Sequence, residues 1–455
     1  MPFMKNISIW PTRVSWPRRQ ADGGGGILPR LGLHSTNPRP YVTARSRFTI
    51  SPLHLSLDEL LFLITAALLA IGLVMVQSAD ARLGTVHGVW SGFANKNMIH
   101  AGIALLAMVL VWRLDYRWLL GKNILRSPGV WLVGITVLLL VAVFVPGIGK
   151  EVNGARRWVG VGALQLQPSE LAKLGLVIFV SAYTAHRRSG MLGFWKGFVP
   201  LMAALGVVLL LVVKEDFGTT VLLATVCFFL LIMAGCQWWH LSLLLPPAAA
   251  GVWLMLFHNK DSFRYRRLVA FLDPYADPKG VGYHLIQSLL TIMSGGFWGR
   301  GLGAGIQKMG YLPEDNTDFI FAVICEELGF FGAFMVIALF AMFVLVGWRI
   351  AGRCQNIFGK MIAFGITAII GLQAAMNIAV VTASMPTKGI ALPLISSGGT
   401  GWIMMAVAIG VLMSVERVNR REEMLAGGRS ETPQSFGFPV LPTRGVESIQ
   451  GGGVA

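Results

Sequence analysis

Apolar residues gather along the chain into ten runs near 58–79, 98–112, 129–147, 168–185, 196–213, 218–235, 240–257, 319–348, 361–384 and 398–415. A helix needs roughly 20 apolar residues to cross about 30 Å of hydrocarbon. Charged and turn-forming residues collect between the runs. The pattern predicts an all-α, polytopic integral membrane protein with ten transmembrane helices over 56–416. Residues 1–55 hold Lys5, Arg13, Arg18, Arg19, Arg30, Arg39, Arg45 and Arg47 against one acid, Asp22, together with Pro and a GGGG run. They read as a disordered basic tail, with no small-residue cleavage site of the kind a signal peptide needs. Residues 417–455, ending in Gly, Pro and Ser, read as a second disordered tail.

Composition agrees: 55% of residues are hydrophobic and only 13% charged, values a soluble domain of this size rarely shows. The four cysteines have no CxxC or paired spacing, so they imply neither a zinc site nor a disulfide framework and serve as small apolar fillers. A formal charge of +16 raises the question of nucleic acid. The basic residues, however, sit in short loops and tails beside apolar runs, the mark of membrane topology. With the N-terminus cytoplasmic, the loops holding Arg113, Arg117, Lys122 and Arg126, then Arg187, Arg188 and Lys196, then Arg349, Arg353 and Lys360 all fall inside. Ten crossings return the C-terminus to the cytoplasm beside Arg417, Arg420 and Arg421. Residues 258–318 then form a large extracytoplasmic loop between the seventh and eighth helices.

Two outer loops break the charge rule. They carry Arg156, Arg157, Arg264, Arg266, Arg267, Lys279, Arg300 and Lys308. Either these cations meet solvent and anionic headgroups, or several hold the phosphates of an anionic, membrane-embedded ligand. FRYRRLVAFL, residues 263–272, has the pattern of an interfacial amphipathic helix, and DPYADPKG after it that of a turn. The glycines of SGGFWGRGLGAG lack a β-α-β setting, so they signal close backbone packing or a re-entrant loop rather than a nucleotide site.

LPEDNTDFIFAVICEELGF, residues 312–330, concentrates Glu314, Asp315, Asp318, Glu326 and Glu327 at the start of the eighth run. From the residues alone, Asp318 divides between a helix-capping role, shared with Thr317, and chemistry. Glu326 and Glu327 lie about 12 Å deeper at 1.5 Å per residue, too far to share its proton chemistry. At about 100° per residue the two point to different faces, so at least one needs a buried partner or a proton. Glu170 and Lys173, three apart in QPSELAK, and Lys388 are the candidate partners, and a polar cavity lined by Glu170, Lys173 and Glu326 or Glu327 is expected.

VNGARRWV, LQPSELAK, RRLVAFLDPYADPKGVGYHLIQS, LPEDNTDFIFAVICEELG and MPTKGIALPLISSGG, in that order, resemble the motifs of the SEDS family of peptidoglycan glycosyltransferases over roughly residues 56–416. Thr387 and Lys388 make the chain more similar to the division branch of that family than to its elongation branch. The resemblance implies polymerisation of lipid II into glycan strands at the division septum, on the outer face of the inner membrane. It implies as partners lipid II, the nascent strand, a cognate class B penicillin-binding transpeptidase and other division membrane proteins. On the matching positions, Asp318 takes the place of the essential acid and is assigned general base. Arg157, Arg266 and Arg267 are assigned to pyrophosphate or sugar, Trp158 to sugar stacking or the interface, and Glu314 and Lys388 to substrate. Asp216, in KEDFGT, is kept where Lys214 and Glu215 depart from the pattern. Asp315 and Asn316 replace a usual Ala-His, Asn153 a lysine of some members, and SSGGTG a common SYGGSS. A divalent cation, Mg or Mn, could assist at Glu314 and Asp318, but the ligand spacing defines no metal site. A lipid II transporter is the runner-up, weakened by the lack of an inverted repeat in the hydropathy pattern and by the outer-face clustering of functional groups. A non-catalytic scaffold that docks the transpeptidase is the third reading, and docking is compatible with catalysis.

Overall fold

The computed structural model describes residues 55–80, 96–145, 148–152, 155–161, 164–187, 193–258, 262–306, 317–397 and 399–429. In chain order its helices are α1 Leu57–Asp80, α2 Lys96–Arg113, α3 Pro128–Ala142, α4 Pro168–His186, α5 Val199–Glu215, α6 Phe217–Met233 and α7 Trp238–Ser242. After them come α8 Leu245–Phe257, α9 Phe263–Leu272, α10 Tyr283–Gly295, α11 Ile320–Arg353, α12 Ile357–Val381 and α13 Thr400–Arg429. Their starts follow local chemistry. Ser127 caps α3 by accepting from the Gly129 N–H with Pro128 in the first turn, and Asn356 caps α12 by accepting from the Phe358 N–H.

Among the described residues seven helices are long and apolar enough to cross a membrane, and Pro128–Ala142 and Phe217–Met233 are shorter apolar helices. The polar residues of α4 keep its hydropathy lower, yet it is buried from Pro168 through Thr184 at every position but Glu170. That places α4 at the centre, against α3 and α12, while α13 runs along α2 and α11 along α12. Large apolar side chains cover the outside instead: Leu138 is 71% exposed and Leu210 69%. Such exposure suits lipid and not water.

The chain is not wholly helical. β1 Gly149–Val152, β2 Ala155–Val161 and β3 Leu164–Leu166 form a three-stranded antiparallel sheet in the loop after α3, with Val159 opposite Leu166. The alternating, β-prone residues of ARRWVGV favour an extended strand over a helix. At the other end of the chain α13 continues to Arg429, past the expected tail boundary at 417. Ion pairs hold this extension: Arg420 with buried Asp58 at 3.2 Å, and Arg117 with Glu422.

The glycine-rich segment after α10 packs backbone to backbone on α11, as its composition suggests. Gly329, at φ 68°, interrupts α11. Phe330 N–H donates to Gly296 O at 3.0 Å, and the freed carbonyls of Glu326 and Glu327 accept from Arg300 N–H at 3.0 Å and Gly301 N–H at 2.9 Å. The neighbouring loop thus replaces the helical bonds lost at the break, which buried backbone groups require. A Cβ at Gly295 would lie 1.8 Å from Cys325 O, so only glycine allows the approach.

Candidate active site

The site is assembled from four separated stretches of the chain at one end of the helices. β2 carries Arg157, α9 carries Arg267, the turn before α11 carries Asp318, and the connection from α12 to α13 carries Lys388 and Gly389. Asp318 Oδ2 lies 2.8 Å, and Arg157 Nη1 3.8 Å, from the position a Cβ would take at Gly389. Gly389 therefore leaves the space in which carboxylate and guanidinium meet. The N-cap residue of α11 is Phe319, so Asp318 does not take the capping place considered for it.

Arg267 enters from the amphipathic helix α9. Its guanidinium stacks on Phe263 with the ring centroid at 4.2 Å and donates to Thr387 O at 3.3 Å. Burial and the nearby Arg157 push it below the ordinary arginine range, while Asp318 pulls it back up. Two cations and one carboxylate from three separate segments thus feel each other. Arg266, next in sequence, points outward and is exposed. The structure separates the Arg pair accordingly. Arg264, counted by the sequence only among the loop cations, donates to Val213 O and Lys214 O at the end of α5, and so ties α9 to that helix.

Lys388 lies over the Phe217 ring at 4.7 Å. Burial moves its ammonium below the ordinary lysine range, and Asp216 opposes that shift. Asp216 is the N-cap of α6, accepting from Thr219 N–H at 2.9 Å and Thr219 Oγ–H at 2.6 Å. With Arg157, Asp216 also lines a small cavity between α3, the start of α4 and the end of α5. Trp158 is the residue of β2 opposite Lys150 and is half-buried. Glu314 lies outside the described residues. Among those residues no three His, Cys, Asp or Glu side chains group as metal ligands.

The expected polar cavity divides in two. Lys173 Nζ donates to Glu170 Oε1 at 2.6 Å and to Gln373 Oε1 at 2.8 Å, and Glu170 and Lys173 line a cavity whose other walls are apolar side chains of α4, α12 and α13. Glu326 and Glu327 are not among its walls. Both are wholly buried: Glu327 accepts from Ser78 Oγ–H at 2.7 Å and Gly303 N–H at 3.1 Å, and Glu326 from Ile306 N–H at 2.9 Å. Sequence reasoning sought cations for these two and did not anticipate backbone donors. It also passed over Gln373, Asn377 and Ser396, whose only sequence signal is a polar residue inside an apolar run.

A family model described as a cell cycle protein, FtsW/RodA/SpoVE, matches residues 58–421. The chain belongs to this family. Stage V sporulation protein E of Bacillus subtilis is 38% identical over 377 residues, 80% of this chain and 98% of that protein. A probable peptidoglycan glycosyltransferase FtsW of Geobacter metallireducens is 38% identical over 362 residues, 79% of this chain and 94% of that one. Another of that name, from Halothiobacillus neapolitanus, is 39% identical over 387 residues, covering 81% and 88%. Two solved structures share the fold. A chain described under "Structural coordination of polymerization and crosslinking by a peptidoglycan synthase complex" has a TM-score of 0.63 at 28% identity, covering 79% of this chain and 97% of that one. The rod shape determining protein RodA of Thermus thermophilus has a TM-score of 0.56 at 25% identity, covering 79% and 96%.

Proposed function

We propose that this FtsW/RodA/SpoVE family chain is a peptidoglycan glycosyltransferase that polymerises lipid II, with Asp318 as general base. The observation that carries the reading is the meeting of Asp318 and Arg157 at Gly389, with Arg267 bonded to Thr387 O and near enough to feel both charges. In the reaction an acceptor sugar hydroxyl attacks the anomeric carbon of the growing chain. The new C–O bond forms as the bond from that carbon to the pyrophosphate oxygen breaks. Asp318 takes the hydroxyl proton, a step that requires it within about 2.6–3.2 Å of the hydroxyl oxygen. Polyprenyl pyrophosphate departs with the bonding pair. Arg157 and Arg267, with Lys388 beside them, hold its negative charge, and fixed cations in a partly dry site stabilise it more than water would.

Ten crossings with both termini cytoplasmic place this cluster on the outer face of the inner membrane. The helices found in all ten apolar runs and the basic inner loops support that topology. Relatives named FtsW support a division role at the septum, beside other division membrane proteins, and the neighbour from a synthase complex supports a class B penicillin-binding transpeptidase as partner.

The test supplies labelled lipid II to the purified chain, with and without its transpeptidase. Glycan ladders that vanish in Asp318→Ala, in a protein that still folds and binds its partner, are expected. Polymerisation by Asp318→Ala at the wild-type rate would remove the base assignment. Dye-labelled lipid II crossing liposomes without polymer would make the chain a transporter.

A further inference from the structure

We infer that Asn377 and Ser396 are positioning residues that clamp the Asp318 peptide from both sides and aim its carboxylate; the inference rests on Asp318 as the base. Asn377 Nδ2 donates to the backbone O of Asp318 at 2.8 Å and to Ile390 O at 2.7 Å. Ser396 Oγ donates to Thr317 O at 2.6 Å and accepts from Leu392 N–H at 2.7 Å. The carbonyls before and after the Asp318 Cα are therefore both sewn to residues 390–396, the continuation of the segment that carries Lys388 and Gly389. Fixing both peptides fixes the direction of the Cα–Cβ bond. The carboxylate of Asp318 leaves along that bond toward Gly389.

The residue types fit the task. Asp318 O is spared from the α11 ladder, because the Ala322 N–H goes to Phe319 O at 2.9 Å. A carbonyl displaced in this way needs a side-chain donor. Among uncharged side chains only an amide nitrogen offers two N–H groups in a planar fork, and turning the amide over would face its oxygen with two other oxygens. Asn377 and Ser396 are each 1% exposed, so water does not compete for these bonds. Gln373, one turn before Asn377 on α12, makes the parallel contact, donating from Nε2 to Ala391 O at 2.9 Å while its Oε1 accepts from Lys173. Two amides on one face of α12 thus hold consecutive carbonyls of the same loop. The Glu170–Lys173 pair is joined to the same loop through Gln373.

The experiment measures lipid II polymerisation by the full-length chain with its transpeptidase, comparing wild type with Asn377→Ala, Ser396→Ala, Ser396→Thr and Asp318→Ala. A base displaced by part of an ångström predicts that kcat falls about 10- to 100-fold in each clamp alanine variant, with KM for lipid II within about twofold. Each alanine variant leaves buried backbone groups without a partner and so lowers the thermal midpoint, while transpeptidase binding stays at the wild-type value and the rate is counted per folded molecule. Ser396→Thr, which keeps the hydroxyl, restores most of the rate. The clamp is overturned if both alanine variants keep the wild-type kcat, if the loss lies wholly in KM, if it disappears when counted per folded molecule, or if Ser396→Thr restores nothing. Should Asn377→Ala not fold, the Ser396 pair decides alone. Asp318→Ala separates the two failures. If it is inert and the clamp variants are normal, only the clamp falls; if it polymerises, the base itself falls and the clamp with it.

Discussion

Asp318 and the pair Glu326–Glu327 belong to one short stretch of chain, yet the structure gives them opposite surroundings. Asp318 is half-exposed in the turn before α11 and faces guanidinium groups brought from β2 and α9. Glu326 and Glu327 have no exposed surface and accept from Ser78 and from loop N–H groups that fill in around the break at Gly329. A buried carboxylate must be surrounded by donors to be tolerated, and fixed donors that satisfy it also hold it still. The carboxylate at the water boundary keeps an open side, where a substrate hydroxyl can approach. With Asp318 as the proposed base, depth rather than residue type separates proton chemistry from anchoring within the same stretch.

The strongest way to break the comparison is to exchange the expected losses. Asp318→Ala should lower polymerisation about 10²- to 10⁴-fold, the contribution of a positioned general base, without a change in thermal midpoint. A stability loss in its place would make Asp318 another anchor. Gly389→Ala tests the same site from the other side. Its new methyl would meet Asp318 Oδ2 at 2.8 Å and push the carboxylate aside, in backbone that alanine can adopt. Polymerisation should fall about 10- to 100-fold while thermal unfolding of the purified protein stays unchanged.

Glu327→Ala should do the reverse. The Ser78 hydroxyl and the Gly303 N–H lose their common acceptor. Loss of hydrogen bonds to a charged group costs about 1.5–3 kcal/mol, to be read in thermal unfolding in detergent. Turnover per folded molecule should remain that of the wild type. A Glu327→Ala variant that is fully stable and inactive would transfer this carboxylate to the chemistry and erase the distinction.

Much of this was legible in the sequence because length and hydropathy are local properties. Every apolar run became a helix, FRYRRLVAFL became the amphipathic α9, and the glycine-rich stretch became a close-packed loop. Asp318, Arg157, Arg267 and Lys388 were named from motifs, and the structure gathers them. What stayed hidden depends on partners distant in the chain. The ARRWVGV strand needed its neighbours on both sides to declare itself. Arg266 and Arg267 read as a pair until the helix face turned one outward and the other toward Asp318. Asn377 and Ser396 look like interruptions of apolar segments, and only their distances to Asp318 O and Thr317 O show what they hold.

The smallest effect sharpens the role of the cations. Burial lowers the Lys388 ammonium from its ordinary value of 10.5, with Asp216 resisting. The folded protein therefore gives up this proton at a pH where the unfolded chain still holds it. Between the lowered value and 10.5 the unfolded state binds more protons, so this group's contribution to stability rises with pH across that window and is lost as pH falls through the folded value. Charge on the site runs the other way. As pH rises through the same window the cation beside the pyrophosphate disappears, and the rate should decline on an alkaline limb below that of an ordinary lysine. Lys388→Arg, charged to above about pH 12, should carry that limb to higher pH. Asp216→Asn, which keeps a capping side chain but removes the opposing charge, should move it lower. Both are read from kcat/KM against pH. Coincident alkaline limbs in wild type and Lys388→Arg would show that the leaving group is held by Arg157 and Arg267 without Lys388, and would place Lys388 with the anchors, held at Phe217 and Asp216.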